Sequence, residues 1–138
     1  MASSLILLGS AARTADAAAP SSEGLLGISA SEVAIMLAID HTASGGAISL
    51  TPKIQIKEPS GGTWMDYWVA AASITAQQSS IYLLLQRTDL LVTLPVAAGN
   101  LRQVIAMPFN GAEWRFLMAH GNANSQTYSV GAYRIFQP

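Results

Sequence analysis

The feature that most constrains this chain is a two-residue alternation of apolar side chains, repeated in short runs and broken each time by glycine. Val33, Ile35, Leu37 and Ile39 alternate with Ala34, Met36 and Ala38 up to Asp40-His41, and Ser44-Gly45-Gly46 then turns the chain. Side chains on a strand point alternately to opposite faces, so the spacing predicts a strand with one face in a core. Ile48, Leu50, Ile54 and Ile56 repeat the pattern against Ser49, Thr51, Lys53, Gln55 and Lys57. Pro52 lies inside that run and predicts an edge strand or a bulge, because proline cannot donate to a ladder. Glu58-Pro59-Ser60-Gly61-Gly62 reads as a turn and residues 64–72 as the next strand. Residues 33–72 are thus expected to form a three-stranded antiparallel meander.

The second half continues in the same way. Residues 81–85 are a short apolar run, 89–95 fit a strand or an extended connection, and 101–107 fit another strand. Residues 113–120 put Trp114, Phe116 and Met118 on one side and Arg115 and Leu117 on the other. A turn at 121–125 leads to a closing strand over 127–136, with Tyr128, Val130 and Ala132 on one face. Seven or eight short strands separated by Gly, Pro and Asn turns predict an all-β sandwich or barrel. The lack of a constant-period repeat argues against a propeller or solenoid.

Residues 1–31 differ from this. They are rich in Ala, Ser and Gly, contain Pro20, and hold one apolar run, Leu5, Ile6, Leu7 and Leu8. The expectation is an extended N-terminal arm and linker over 1–31, with a short strand at 3–8, followed by a β-sandwich domain over 32–138. Four aliphatic side chains outside the sandwich are a liability unless docked, so Leu5, Ile6, Leu7 and Leu8 are the expected partner-binding residues.

A length of 138 residues suits one domain. Seven Lys and Arg against eight Asp and Glu give a net charge of −1 with no basic block, which argues against direct contact with nucleic acid. The chain is 51% hydrophobic and only 11% charged, where about a quarter charged is usual. So weakly charged an exterior implies that other subunits cover much of it. The longest apolar run, the seven residues 33–39, is far below a bilayer span, so no membrane association is expected. The N-terminus has no basic n-region and a short apolar stretch, so the chain is expected to be made in a cytoplasm.

Sites for chemistry are few. There is no cysteine, and His41 and His120, the only histidines, lie at predicted strand ends outside any metal-ligand spacing. No Gly-x-Ser-x-Gly elbow exposes a serine, and Gly61-Gly62 lacks the Lys-Ser/Thr of a phosphate loop. Asp66 stands among Trp64, Tyr67 and Trp68, a grouping that would suit sugar stacking or a glycosidase. Alternation gives a plainer account, with Trp64, Asp66 and Trp68 on one strand face and Met65 and Tyr67 on the other. No enzymatic activity, catalytic residue, cofactor or metal is expected.

Several short segments are similar to a group of small tailed-bacteriophage virion proteins. They are Ala12-Arg13-Thr14, the strand at 33–39, Glu58-Pro59-Ser60-Gly61, Ala71-Ala72-Ser73-Ile74-Thr75, Trp114-Arg115, His120-Gly121 and Thr127-Tyr128-Ser129-Val130-Gly131. The chain resembles the head-decoration, or cement, class, whose members clamp neighbouring major capsid proteins on the outside of an icosahedral head. The resemblance implies a jelly-roll-like sandwich on the outer capsid surface of a virion. It also implies the major capsid protein and further copies of the chain as partners, with a trimer favoured. A tail or head-to-tail connector subunit is the alternative within the same group. A carbohydrate-binding module using Trp64, Trp68 and Tyr67 is the alternative outside it.

Overall fold

The computed structural model describes residues 2–19, 32–60, 62–85, 101–106 and 114–136. The elements are β1 (Ala2–Arg13), β2 (Ala17–Ala18), β3 (Glu32–Ser44), β4 (Leu50–Lys57), β5 (Trp64–Val69), β6 (Ser79–Leu85), β7 (Leu101–Ala106), β8 (Trp114–His120) and β9 (Gln126–Phe136). They make two sheets, a larger one of five strands in the order β1-β9-β3-β6-β7 and a smaller one of four in the order β2-β8-β4-β5. The protein is all-β. The expected strand or connection at 89–95 lies outside the described residues.

Both sheets contribute to one core. Ile35, Leu37 and Ile39 of β3 and Tyr128, Val130 and Ala132 of β9 join Leu50 and Ile54 of β4 and Trp114, Phe116 and Met118 of β8 in a single apolar cluster. These are the faces that the alternation picks out. A smaller cluster, Ala34 and Leu83 with Met36, Leu85 and Leu101 against it, lies on the other face of the larger sheet. Strand β6 sits between β3 and β7 and is apolar on both faces, which is why residues 81–85 do not alternate.

The expected meander is corrected. Strands β4 and β5 do pair as a hairpin, but β3 pairs with β6 and β9 in the other sheet. The chain therefore crosses between sheets from β3 to β4, and crosses again from β8 to β9. The two crossings are fastened together. Gly45 N donates to Ser125 O at 2.7 Å and Gly121 N to Ser49 O at 2.9 Å. The side-chain amides of Asn122, Asn124 and Gln126 all donate to Ala47 O, at 3.2, 3.2 and 3.0 Å. Gly121 is needed here, because a Cβ would stand 2.9 Å from Ser49 Cβ.

Pro52 is also placed differently from expectation. It sits within β4, which has β8 on one side and β5 on the other. Its carbonyl accepts from Ala70 N at 2.9 Å, just past the end of β5 at Val69. The N and O of one strand residue point the same way, so the missing N–H falls where the β5 ladder has already ended.

The N-terminal arm is corrected as well, for the residues described. β1 pairs antiparallel with β9 from Ala2↔Ile135 to Arg13↔Gln126, and β2 pairs with β8. Residues 2–19 are thus built into both sheets, and the boundary at 31/32 does not separate an arm from a domain. A bulge gives the reason for the run of leucines. The register steps from Ile6↔Gly131 to Leu8↔Val130, leaving Leu7 as the extra residue. Consecutive Leu7 and Leu8 then both enter the core.

Candidate functional site

The four arm residues separate in the structure. Leu7 and Leu8 are buried at 6% and 9% exposure, within the chain's own core. They are therefore not available to a partner. Ile6 is 75% exposed, and Leu5 pairs through its backbone with Ala132.

The two histidines, far apart in sequence, converge on Tyr128. His41 is opposite Tyr128 in the β3–β9 ladder, and His120 Nε2 is 2.8 Å from the Tyr128 hydroxyl. Gln126 Nε2 donates to Ala47 O, so its Oε1 accepts from His41 Nε2–H at 2.8 Å. Arg13 closes the cluster from β1. Its guanidinium lies 4.8 Å from the centre of the Tyr128 ring and donates to the carbonyls of Tyr128, Gly9 and Ala11 at 2.9, 2.6 and 3.3 Å. Asp16 Oδ1 accepts from His120 N at 2.7 Å. Burial lowers the pKa of His120, opposed by Asp16 and helped by Arg13, and burial pushes the Tyr128 phenol up to about 12. Both rings are held neutral near pH 7, and Arg13 is directed at backbone carbonyls. The arrangement ties the end of β1 to the β8–β9 crossing. In the sequence His41 and His120 stand apart with no shared motif, and only the fold gathers them around Tyr128.

The aromatic strand is rephased by a second bulge. The β4–β5 register steps from Ile54↔Trp68 to Gln55↔Asp66, so Tyr67 is the extra residue. Trp68 therefore turns inward with Ile54, away from the face it was expected to share with Trp64 and Asp66. It is 3% exposed and meets Tyr82 edge to face at 5.3 Å between ring centres. Trp64 and Asp66 remain on the outer face of the smaller sheet, where a continuous polar network runs. Lys53 Nζ lies 3.1 Å from Asp66 Oδ2, Gln55 Nε2 donates to Asp66 Oδ1 at 2.8 Å, and Arg115 Nε donates to Gln55 Oε1 at 2.8 Å. The guanidinium of Arg115 stacks 4.6 Å from the centre of the Trp64 ring, with Lys57 Nζ 5.9 Å from it. Hydrogen bonds from Gln55 and then Lys53 lower the pKa of Asp66 below the usual carboxylate range.

Large apolar side chains are exposed along the same edge. Met65, Tyr67 and Val69 of β5 are each more than 40% exposed. A cleft of about 150 Å³ lies beside Ile74, Tyr82 and Arg102, partly closed by Gln103, whose Oε1 accepts from Ala71 N at 3.0 Å. That volume is below the range of ordinary small-molecule sites, about 300–1,000 Å³. Among the described residues no group of three acidic or histidine side chains is placed to hold a metal ion. No family model, curated protein or solved structure matches the chain.

Proposed function

We propose that the chain is a non-enzymatic structural subunit of a virus particle, a decoration or cement protein that binds and braces the major capsid protein lattice on the outer surface of a phage head. The observation that carries this reading is where the exposed apolar residues lie. Of the six large ones among the described residues, Ile6, Met65, Tyr67, Val69 and Val104 are on β1, β5 and β7, and only Tyr133 is on an interior strand. β1 and β7 are the two edges of the larger sheet and β5 is an edge of the smaller. Apolar edges on a weakly charged domain favour lateral association, with neighbouring copies or with a shell.

The pairing pattern supports the finer fold reading, a sandwich of jelly-roll type. With β7 set aside, β1 pairs with β9, β2 with β8, β3 with β6 and β4 with β5. These are the nested pairs of one long hairpin, which β3–β9 and β8–β4 pairing rolls into two sheets. Jelly rolls recur in viral shells and in lectins, so the fold alone does not choose between them. The glycan alternative is disfavoured by the aromatic strand. Trp68 is a core residue, and Arg115 stacks on the Trp64 ring that a sugar would need.

With Leu7 and Leu8 in the core, the proposed contact is made by the globular faces and edges rather than by a flexible arm. Many copies on one lattice make modest contacts strong together. The proposed assembly is a trimer on the outside of the head, formed in the host cytoplasm. The test is to mix the purified chain with undecorated heads of the encoding virus and measure occupancy by sedimentation. Saturable binding that falls when Met65, Tyr67 and Val69 are replaced by serine is the expected result. Heads that stay bare, or a particle map that puts the chain in the tail, would overturn the assignment.

A further inference from the structure

We infer that the cleft between the β5–β6 connection and β7 is a receptor for a single carboxylate group, held by Arg102 and by the uncharged donors around it. The site is separate from the lattice-binding role and does not depend on it.

A bulge builds the cationic side of the cleft. The parallel β6–β7 register steps from Ile81↔Leu101 to Tyr82↔Gln103, so Arg102 is the extra residue. Consecutive residues of a regular strand face opposite sides of the sheet. Here Arg102 and Gln103 both line the cleft, together with Ala71, Ala72, Ser73 and Tyr82. Arg102 is exposed, and among the described residues it has no ion-pair partner. None of the described lining residues is a carboxylate.

The rest of the lining offers donors that lack acceptors. Ala71 N donates to Gln103 Oε1 at 3.0 Å, which orients the amide and leaves its Nε2 without a partner among the described residues. The neighbouring backbone is fixed on both sides, where Ala70 N donates to Pro52 O at 2.9 Å and Ile74 N to Leu50 O at 2.7 Å. Between those anchors the N–H groups of Ala72 and Ser73 have no backbone acceptor among the described residues. Tyr82 is 2% exposed and is held edge to face against Trp68. Burial pushes its phenol pKa up, with Arg102 opposing, so the hydroxyl keeps its proton near pH 7 and meets an anion as a donor.

Hydrogen bonds to an ionised acceptor are about twice as strong as neutral ones. Donors fixed before binding also lose little freedom when the ligand arrives. A single guanidinium matches the one charge of a carboxylate better than a phosphate group, which carries about −1.5 to −2. A cleft of about 150 Å³ has room for one such group and not for a whole metabolite of ordinary size.

The experiment titrates the isotopically labelled full chain with acetate, with phosphate, and with capped peptides that hold one glutamate or one glutamine. Sodium chloride at equal ionic strength is the reference, and backbone and side-chain amide NMR signals are the readout. Acetate is expected to shift the Ala72 and Ser73 amides and the Gln103 side-chain amide saturably, beyond the chloride response. Arg102→Gln is expected to weaken binding by roughly tenfold, the loss of one charge-assisted hydrogen bond, and Arg102→Lys to keep part of it. Tyr82→Phe is expected to weaken it by roughly threefold. If Tyr82→Phe does not fold, the two variants of the exposed Arg102 carry the test. Binding of the glutamate peptide but not of its glutamine counterpart would support a carboxylate presented by a protein, and binding of acetate alone would support a free small acid. A response no greater than that of chloride, shifts centred elsewhere, an unchanged response in Arg102→Gln, or tighter binding of phosphate would overturn the inference.

Discussion

Replacing Leu7 and Ile6 by alanine, one at a time, distinguishes a strand of the fold from a docking arm. The two residues are adjacent, yet Leu7 is 6% exposed and Ile6 is 75% exposed, because the β1 bulge sends Leu7 inward. Leucine to alanine removes three carbon atoms at about 0.8 kcal/mol each. The space left behind adds to that, giving about 3 kcal/mol, within the range for a buried leucine. With an unfolding entropy of about 2.1 cal/mol/K per residue, the melting temperature should fall by about 10 °C. Ile6→Ala removes a side chain that is mostly in water and should stay within about 0.5 kcal/mol of the parent. Thermal and urea unfolding of the isolated chain, followed by circular dichroism, measures both. Equal effects for the two variants, or a neutral Leu7→Ala, would mean that β1 is not part of the domain, and the pairing with β9 would have to be abandoned.

Other expectations concern the core and the Tyr128 cluster. Trp114 is 1% exposed, so Trp114→Ala should cost about 3–5 kcal/mol, seen as loss of soluble expression or of a cooperative melt. Arg13→Ala removes three carbonyl hydrogen bonds and the ring contact, at about 2 kcal/mol; Arg13→Lys should recover only part, since an ammonium cannot reproduce the fork. For His120 the unfolded chain takes up its proton near the ordinary value of about 6.5, and the buried ring takes it up lower. Its contribution to stability is therefore complete above that value and is lost as pH falls towards the folded pKa. An NMR titration midpoint for His120 above the ordinary value would contradict this, as would a stability that rises on acidification in the parent but not in His120→Gln.

What the residues alone determine is which stretches are strands and which face of each is buried. Ile35, Leu37 and Ile39, and likewise Trp114, Phe116 and Met118, are inside because alternation is a local property of an extended backbone. Glycine and asparagine between the runs mark where the chain turns for the same local reason. Which strand lies beside which is decided by contacts between distant residues. The turns after β3 and β8 look like hairpins, yet both carry the chain from one sheet to the other. The alternation also fails wherever a bulge inserts a residue, because one extra residue reverses every side chain beyond it. That reversal sends Trp68 to the core and leaves Trp64 outside, and it buries Leu7 and Leu8 together. Arg13 and His41 reach Tyr128 only because β1 and β3 both pair with β9, and His120 meets it from the other sheet, at the β8–β9 crossing. Only the folded chain brings Arg115 from β8 and Trp64 from β5 onto one surface, on the two sides of β4, where the network that joins them can form.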